Sequence, residues 1–400
     1  MLGALQIVKI ILVHNYYQQP GGEDVVFQRE RELLERAGHD VVVYCRSNNE
    51  VNSYHGIKQL VLVRKTIWAD DTRREFAELL RAQRPDLVHI HNTFVMISPS
   101  IYTACREARV PVVQTLHNYR LLCPAATFFR RGHICEECME HTLWRSVRYG
   151  CYRDSHSGTA AVALMLAVHR SRHTWVRDVT CYVALTNFAR TKFLQGGLPA
   201  QEVYVKPNFV YPDPQPGMGD GKYVLFAGRL SPEKRVSTLL NAWTHLRYQI
   251  PLVIIGGGPQ MSQLKGEAAR LNLTTVDFRG LLSYEQTLAA IKGARLLIFS
   301  SESYETFGLT IAEAFACGVP VLCSRLGAME EIVEHGRTGL YFAAGNEDDL
   351  AEKVDWAWNH PDRMRLMGKE ARQEYENKYT AEKNYPILMD IYQRAISANA

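Results

Sequence analysis

The 400-residue sequence lacks the features that would place it in a membrane, fibrous or disordered class. Its longest uninterrupted apolar run, AAVALMLAV at 160–168, is far shorter than the roughly 20 residues that a membrane-spanning helix needs. The amino terminus has neither a basic segment nor a small-residue cleavage site, and Lys9 interrupts its apolar stretch. We therefore expect it to form the first strand of a cytoplasmic protein. The 46% apolar and 22% charged fractions indicate a globular protein with a full core.

Several functional signatures are also absent. There is no Asp-x-Asp pair, which one large class of nucleotide-sugar enzymes uses to hold a divalent metal, and there is no GKS or GKT of a Walker A loop. The segment IIGGGPQM at 254–261 resembles a dinucleotide-binding fingerprint, but Met261 occupies the place of the third glycine. We interpret it as a tight strand-to-helix turn. A formal charge of +4 is too small for a dedicated nucleic-acid binder, so no nucleic-acid partner is expected.

Short Val/Ile/Leu runs alternate with longer helical patterns in both halves of the chain, which is typical of βαβ units and parallel sheets. The predicted strands cover 8–14, 40–45, 86–91, 110–116, 181–185, 203–206, 222–228, 251–257, 275–280, 295–301 and 319–324. We predict an α/β protein with two Rossmann-like, doubly wound parallel-sheet domains that face a central cleft, where a ligand meets the carboxyl ends of the strands. The domains are predicted at 1–207 and 221–376, with a linker at 208–220 and a carboxyl-terminal helix at 377–400 that packs back toward the first domain.

The segment SESYETFGLTIAEAFACGVPV at 301–321 places a carboxylate inside an apolar helix. Ionised carboxylates are rarely buried without a partner, so Glu313 is expected to serve a ligand. The backbone amides around Phe307, Gly308 and Leu309 lie at the predicted helix amino terminus, where anions bind readily. Glu305 precedes that terminus. This spacing suits a ligand with a sugar at Glu305, a diphosphate at the amides and a ribose at Glu313.

Two cations follow a predicted strand in KYVLFAGRLSPEKR at 222–235. Arg229 comes directly after the strand and Lys234 is expected at the start of the next helix. Arginine grips phosphate through two parallel hydrogen bonds, and lysine adds a point charge. Either residue alone is more often a surface residue, but together with the 301–321 segment they indicate a phosphate site.

In combination, these residues resemble glycosyltransferase family 4, a group of retaining enzymes with the GT-B fold. Glu305 and Glu313 match its E-x7-E motif, Arg229 and Lys234 match its diphosphate-binding pair, and GAMEEIVEHGRTGLYF at 327–342 is similar to a further family segment. The resemblance implies that the carboxyl-terminal domain binds a nucleotide-diphosphate sugar donor, a UDP- or GDP-sugar. It further implies that Glu313 contacts ribose hydroxyls, that Glu305 contacts the sugar, and that catalysis requires no cofactor.

The amino-terminal half supports the same resemblance. Gly21 and Gly22 are similar to the family's glycine-rich loop beside the donor phosphates, although a flexible loop is the alternative interpretation. His117 looks like the family histidine that reaches the donor sugar, and the alternative is a structural histidine. His89 and His91 are predicted to be interior or lining residues. The predicted catalytic residues are therefore His117, Glu305, Arg229 and Lys234.

An insert at about 118–158 carries four cysteines, Cys123, Cys135, Cys138 and Cys151. Four thiols in a short, polar, helix-poor segment suit a structural zinc ion. Only one C-x2-C pair is present, however, and packed or redox-variable thiols are the alternative. The insert is similar to those of an exopolysaccharide-type branch of the family, which favours a carbohydrate or lipid-linked glycan acceptor.

The function expected from the sequence is retaining sugar transfer in lipid-linked or surface polysaccharide biosynthesis, at the inner face of the cell membrane. A local cluster of arginines has two interpretations, peripheral contact with the membrane or a solvated surface. Its members are Arg130, Arg131, Arg145, Arg148, Arg153, Arg170 and Arg172. The alternatives are a glycosyltransferase with a small soluble acceptor, a catalytically silent nucleotide-sugar-binding subunit and, more remotely, a dehydrogenase.

Overall fold

The computed structural model describes residues 7–19, 21–56 and 58–398. Its strands are β1 (Lys9–Tyr16), β2 (Asp40–Ser47), β3 (Leu87–Ile90), β4 (Val112–Thr115), β5 (Phe129–Arg130), β6 (His133–Ile134), β7 (Cys181–Ala184), β8 (Val203–Val205), β9 (Tyr223–Ala227), β10 (Leu252–Ile255), β11 (Val276–Gly280), β12 (Ala294–Phe299), β13 (Val321–Ser324) and β14 (Gly339–Phe342).

The helices are α1 (Gly22–Arg36), α2 (Lys58–Ile67), α3 (Asp70–Gln83), α4 (Ser100–Glu107), α5 (Glu137–Glu140), α6 (Trp144–Tyr149), α7 (His156–Ser171), α8 (Thr174–Arg177), α9 (Asn187–Gln195), α10 (Val236–Thr244), α11 (Met261–Arg270), α12 (Tyr284–Lys292), α13 (Leu309–Ala316), α14 (Met329–Ile332), α15 (Glu347–Asn359), α16 (Pro361–Lys378) and α17 (Ala381–Ser397). Short 3-10 turns occur at Asn48–Ser53, Ala200–Glu202 and Pro232–Lys234.

The chain divides into two compact units. Unit 1 comprises the residues up to Ala126, Glu136–Lys206 and the residues from Tyr385 onward, and unit 2 comprises Thr127–Cys135 and Pro207–Asn384. Part of the cysteine-containing insert therefore belongs to unit 2, together with the antiparallel pair β5 and β6. The last helix, α17, begins in unit 2 and continues in unit 1.

The sheet of unit 1 has the strand order β2-β1-β3-β4-β7-β8, and all of its neighbouring strands are parallel. In β1 the four consecutive residues Ile10–Val13 are completely buried. A strand that buries every side chain in succession must be covered on both faces, because its side chains alternate between them. The predicted α/β class with a doubly wound parallel sheet is thereby confirmed for unit 1.

Unit 2 repeats this architecture with the strand order β11-β10-β9-β12-β13-β14, again wholly parallel. Its core includes Val224, Phe226, Leu252, Ile254 and Leu296 from three adjacent strands. The edge strand β14 was not among the predicted strands. It is four residues long and pairs with β13 from Val321 and Gly339 onward.

The longest apolar run lies in α7, which buries Val162, Ala163, Met165 and Leu166 in unit 1. Within the described ranges, the structure contains no helix that combines the length and apolarity needed to cross a bilayer. The insert was expected to be poor in helix, but it contains the short helices α5 and α6.

Candidate active site

The phosphate-binding cations predicted for unit 2 follow β9. Arg229 lies two residues beyond the end of the strand and is exposed. Lys234 is the last residue of the 3-10 turn Pro232–Lys234, whereas we predicted it at the start of the following helix; α10 begins only at Val236. Arg235, in the left-handed region at φ +51°, separates this turn from α10.

Lys234 forms an ion pair with Glu305, although the two residues are far apart in the sequence. The Lys234 Nζ atom lies 2.6 Å from Glu305 Oε1, and the Ser301 hydroxyl donates to the same oxygen over 2.6 Å. The Ser300 hydroxyl donates to the Lys234 carbonyl over 2.8 Å, which ties the two loops together. Because β9 and β12 are neighbours in the sheet, the loops at their carboxyl ends hold a cation and a carboxylate side by side.

The amino terminus of α13 begins at a glycine that no other residue could easily replace. Gly308 has φ +85°, and a Cβ atom there would lie 3.3 Å from both Ile311 and Phe299 side-chain atoms. Phe307 is buried against Tyr379, with ring centroids 5.6 Å apart, and fixes the loop before the helix. Among the residues that the structure describes, no side chain caps the start of α13. The backbone amides at Gly308 and Leu309 therefore form a helix amino terminus that suits an anion.

Glu313 is buried in α13, as predicted. It is 7% exposed, and its helix neighbours Ile311, Ala312, Ala314 and Phe315 are completely buried. The helix therefore carries its carboxylate within a largely apolar environment, where hydrogen bonds to a ligand are stronger than they would be in water.

The glycine triplet after β10 serves close packing of the backbone. A Cβ atom on Gly256 would lie 1.8 Å from the Gly228 carbonyl oxygen, and one on Gly258 would lie 2.3 Å from the Leu230 oxygen. The turn at 254–261 therefore packs against the loop that carries Arg229. This close packing of the backbone explains the glycines, and no dinucleotide-binding role is needed to explain them. The interpretation as a tight turn predicts this.

In unit 1, Gly21 and Gly22 stand at the start of α1. Gly21 is the N-cap residue, and its amide donates to Asp24 Oδ2 over 2.7 Å. Asp24 also contacts His14 Nε2 at 2.7 Å, so the start of this helix is anchored to β1. A Cβ atom on Gly21 would meet nothing within 4 Å, and its φ of −133° suits any residue.

His117 follows β4 and is half-buried. Its Nε2 atom lies 2.9 Å from Nδ1 of His91, and burial, together with the nearby His91, holds the pKa of His117 well below its usual range. His89 and His91 are buried, which confirms that they are interior residues. A cavity of about 50 Å³ has His91, His117, Asn118 and Arg120 in its lining.

Two residues near His117 were not predicted. Glu23, which directly follows the glycine pair, accepts a hydrogen bond from Asn118 Nδ2 over 3.1 Å. Burial, with Asp24 nearby, raises the pKa of Glu23 to about 8. The sequence offers only its position after the two glycines as a signal, since Asn118 is 95 residues away.

Among the described residues, the four cysteines of the insert form no group of three or more potential metal ligands. Cys123 and Cys138 are buried, Cys135 and Cys151 are partly exposed, and Cys135 belongs to unit 2. In the part of the chain that the structure describes, three or more potential ligand atoms lie within 4.8 Å of one another only in Glu30, His89 and His91. The arrangement of the four thiols therefore gives the zinc prediction no support.

Part of the arginine cluster is used inside unit 1. Arg170 donates to the Leu121 carbonyl over 2.9 Å, and the Arg172 guanidinium lies 4.4 Å from the Trp68 ring centroid. These contacts favour packing over membrane binding for those two residues.

Two family models match the chain, one in each half. The family model described as Glycosyltransferase Family 4 matches residues 20–213, and the model described as Glycosyl transferases group 1 matches residues 213–374. The D-rhamnosyltransferase of Pseudomonas aeruginosa is 30% identical over 162 residues, which are 40% of this chain and 42% of that protein. The matched segment therefore spans less than half of that relative's length.

A longer match links the chain to the alpha-monoglucosyldiacylglycerol synthase of Streptococcus pneumoniae, at 24% identity over 86% of this chain and 76% of the relative. Among solved structures, Anabaena HepE in complex with UDP and glucose superposes with a TM-score of 0.67 at 19% identity, over 96% of this chain and all of that one. The last likeness shows the fold. The chain therefore belongs to the GT-B glycosyltransferases that join a family 4 region to a group 1 glycosyl transferase region.

Proposed function

We propose that this protein transfers a sugar from a nucleotide-diphosphate sugar to an acceptor hydroxyl with retention of anomeric configuration. The observation that carries the proposal is the Lys234–Glu305 pair, 2.6 Å apart, on loops at the carboxyl ends of neighbouring strands. Glu305 and the Gly308 amide belong to one loop region, 300–309, whereas Lys234 reaches it from the loop after β9. Together they offer a cation and amide donors for a diphosphate and a carboxylate for sugar hydroxyls.

In the proposed reaction, the bond from the anomeric carbon to the phosphate oxygen breaks, and a bond to the acceptor oxygen forms on the same face of the sugar. The acceptor proton passes to an oxygen of the departing diphosphate, so no protein nucleophile is required. Arg229, Lys234 and the α13 amides stabilise the charge that develops on the diphosphate. Glu305 and His117 are assigned to the sugar, and Glu313 to the ribose.

The proposed donor is a UDP- or GDP-sugar, and the proposed acceptor is a carbohydrate or a lipid-linked glycan. The UDP and glucose bound to Anabaena HepE support the donor class. The S. pneumoniae relative is named for a glycolipid product, and the P. aeruginosa relative for rhamnosyl transfer. The first name fits an acceptor that carries a lipid, and the second fits transfer of a sugar.

The donor assignment is tested by titration calorimetry with UDP, GDP and their common sugar conjugates. Glu313→Gln preserves the size of a buried side chain but removes a charged acceptor, so nucleotide affinity should fall about 10- to 100-fold. Glu330→Gln changes an exposed carboxylate of the same unit that pairs with Arg325, and should leave affinity unchanged. Equal affinities of the wild-type protein and the Glu313 variant would contradict the ribose assignment. A folded wild-type protein that binds no nucleotide would contradict the proposal itself.

Gly21→Ala tests whether the glycine pair contacts the donor. The backbone there accommodates alanine and the added methyl group meets no protein atom within 4 Å, so the unfolding temperature should not change. If a phosphate lies against this backbone, the methyl group should weaken binding of the donor about tenfold. Both quantities are measured on the same purified variant, by thermal unfolding and calorimetry. Unchanged donor affinity would remove Gly21 from the site.

Vesicle sedimentation separates the two acceptor classes. Leu60 and Val61 on α2 are 70% and 47% exposed, in a helix that also carries Lys58 and Arg64. A lipid-linked acceptor at a membrane would explain an exposed apolar and basic helix face. Under that acceptor class the wild-type protein should sediment with anionic vesicles, and a Leu60→Ser/Val61→Ser variant should sediment less. A wild-type protein that stays in the supernatant would favour an acceptor in solution.

A further inference from the structure

A buried cluster of charged and titratable side chains lies behind His117 in unit 1. Glu30, on α1, is completely buried, and its Oε1 atom lies 2.9 Å from His89 Nδ1 and 3.2 Å from His91 Nε2. Its other oxygen lies 2.9 Å from the Lys206 ammonium, which is also buried. His91 Nδ1 in turn lies 2.9 Å from His117 Nε2. The cluster therefore connects Glu30 to His117 through a single imidazole.

The charge of Glu30 follows from its partners. Burial alone would raise the pKa of this carboxyl, but Lys206 and His89 hold it well below its usual range. Glu30 is therefore ionised near neutral pH, and both of its oxygens can only accept hydrogen bonds. His91 is neutral, because burial and the neighbouring His89 lower its pKa to about 3.

These charge states fix the position of the proton on each ring. A neutral imidazole carries one proton, and the nitrogen that faces a carboxylate oxygen carries it, since two lone pairs would otherwise repel. The Glu30–His91 pair lies off the line of a good hydrogen bond, so the carboxylate acts on His91 mainly through its charge. With its proton on Nε2, His91 can only accept at Nδ1. The partner atom, His117 Nε2, must then donate.

We propose that Glu30 and His91 are positioning residues that hold His117 in the Nε2–H tautomer, with Nδ1 as a hydrogen-bond acceptor. This inference rests on the proposed function for its role in catalysis. In this tautomer, Nδ1 can accept a hydrogen bond from a sugar hydroxyl but cannot donate one. The site is therefore matched to a donor sugar that bears a hydroxyl at the position that meets His117, and it disfavours one with a carboxylate or a hydrogen there.

A divalent metal ion held by Glu30, His89 and His91 is the competing account of the same atoms. Two observations count against it. The Lys206 ammonium already neutralises the carboxylate, so a metal would add two further positive charges to a buried site. Both nitrogens of His89 are also engaged, Nδ1 with the Tyr392 hydroxyl at 2.7 Å and Nε2 with the Thr115 hydroxyl at 2.8 Å.

The tautomer is measured directly by long-range proton–nitrogen correlation NMR on protein labelled with 15N-histidine, near neutral pH and without substrate. The His117 signals are identified by their loss in His117→Gln. We expect a protonated Nε2 and an unprotonated Nδ1 in the wild-type protein. In Glu30→Gln the amide imposes no charge on His91, so signals of the other His117 tautomer should appear. A wild-type His117 that is protonated at Nδ1, or a tautomer unaffected by Glu30→Gln, would overturn the proposal.

Two further measurements keep the test decisive. If Glu30→Gln does not fold, His91→Gln replaces it, and the same His117 signals are measured. The second His117 tautomer should appear in this variant as well. An unchanged His117 tautomer in His91→Gln would count against the proposal. Stoichiometric zinc or another divalent metal in protein purified without chelator would establish the competing account. Because the spectra need no substrate, they remain informative if the protein transfers no sugar. If transfer occurs, Glu30→Gln should lower kcat at least about tenfold, while affinity for the nucleoside diphosphate, which lacks the sugar, stays unchanged.

Discussion

Replacing Lys234 with alanine is expected to lower kcat/KM about 100-fold, because one charged donor to the departing diphosphate is lost. The loss has a second component. Lys234 lies 2.6 Å from Glu305, and without the ammonium this carboxylate would stand unneutralised beside an anionic ligand. Release of nucleoside diphosphate in the presence of donor and acceptor is the measurement.

Lys222→Ala is the matched control for the Lys234 variant, since Lys222 is an exposed lysine just before the same strand, β9. It should retain wild-type activity. If the two variants have equal activities, Lys234 does not contact the diphosphate. Restoration of a large part of the activity in Lys234→Arg would show that charge at this position matters more than the shape of the ammonium group.

Lys206→Met is expected to give the largest loss of stability. Lys206 and Glu30 are each 1% exposed and lie 2.9 Å apart, so the variant leaves a buried carboxylate without its cation. Breaking such a pair typically costs about 3–5 kcal/mol of unfolding free energy. The effect on unit 1 is measured by urea unfolding, with amide hydrogen exchange in β1 and β3 as the readout. Lys58→Met, on an exposed part of α2, should leave the exchange unchanged.

The pH dependence of this variant provides an internal check. In the wild-type protein the pKa of Glu30 lies well below 4.5, so its stabilising effect is complete above that pH and is lost as the pH falls further. Without Lys206 the pKa of Glu30 should rise above 4.5, and the folded variant then gains a proton that the unfolded chain lacks. The difference in unfolding free energy between the wild-type protein and Lys206→Met should therefore narrow as the pH falls from 7 toward 4.5. The double variant Glu30→Gln/Lys206→Met should also recover part of the loss. A stability difference that does not change with pH, together with no recovery in the double variant, would contradict the ion pair.

The strands could be predicted because parallel strands covered on both faces bury every residue in succession. Runs such as IILV in β1 and VLFA in β9 are apolar without interruption. The edge strand β14 was missed because it begins with glycine, a residue that is depleted in strands.

Sequence motifs singled out the residues of the candidate site, but they did not predict the contacts between them. Lys234 and Glu305 were each recognised by their place after a strand, yet their pairing depends on β9 and β12 being neighbours. Glu30 was not recognised at all. It lies in the charged segment QRERELLER, where a glutamate normally faces solvent, and only the folding of α1 against β3 and β8 brings it to His89, His91 and Lys206.

We propose that the loops after β9 and β12, with the start of α13, bind the diphosphate of the donor. A crystal structure with a nucleoside diphosphate tests it most directly. We predict phosphate oxygens within hydrogen-bond distance of the amides at Gly308 and Leu309 and of the Arg229 and Lys234 side chains, with the ribose hydroxyls on Glu313. A nucleotide bound instead at the glycine turn 254–261, or away from α13, would contradict this account.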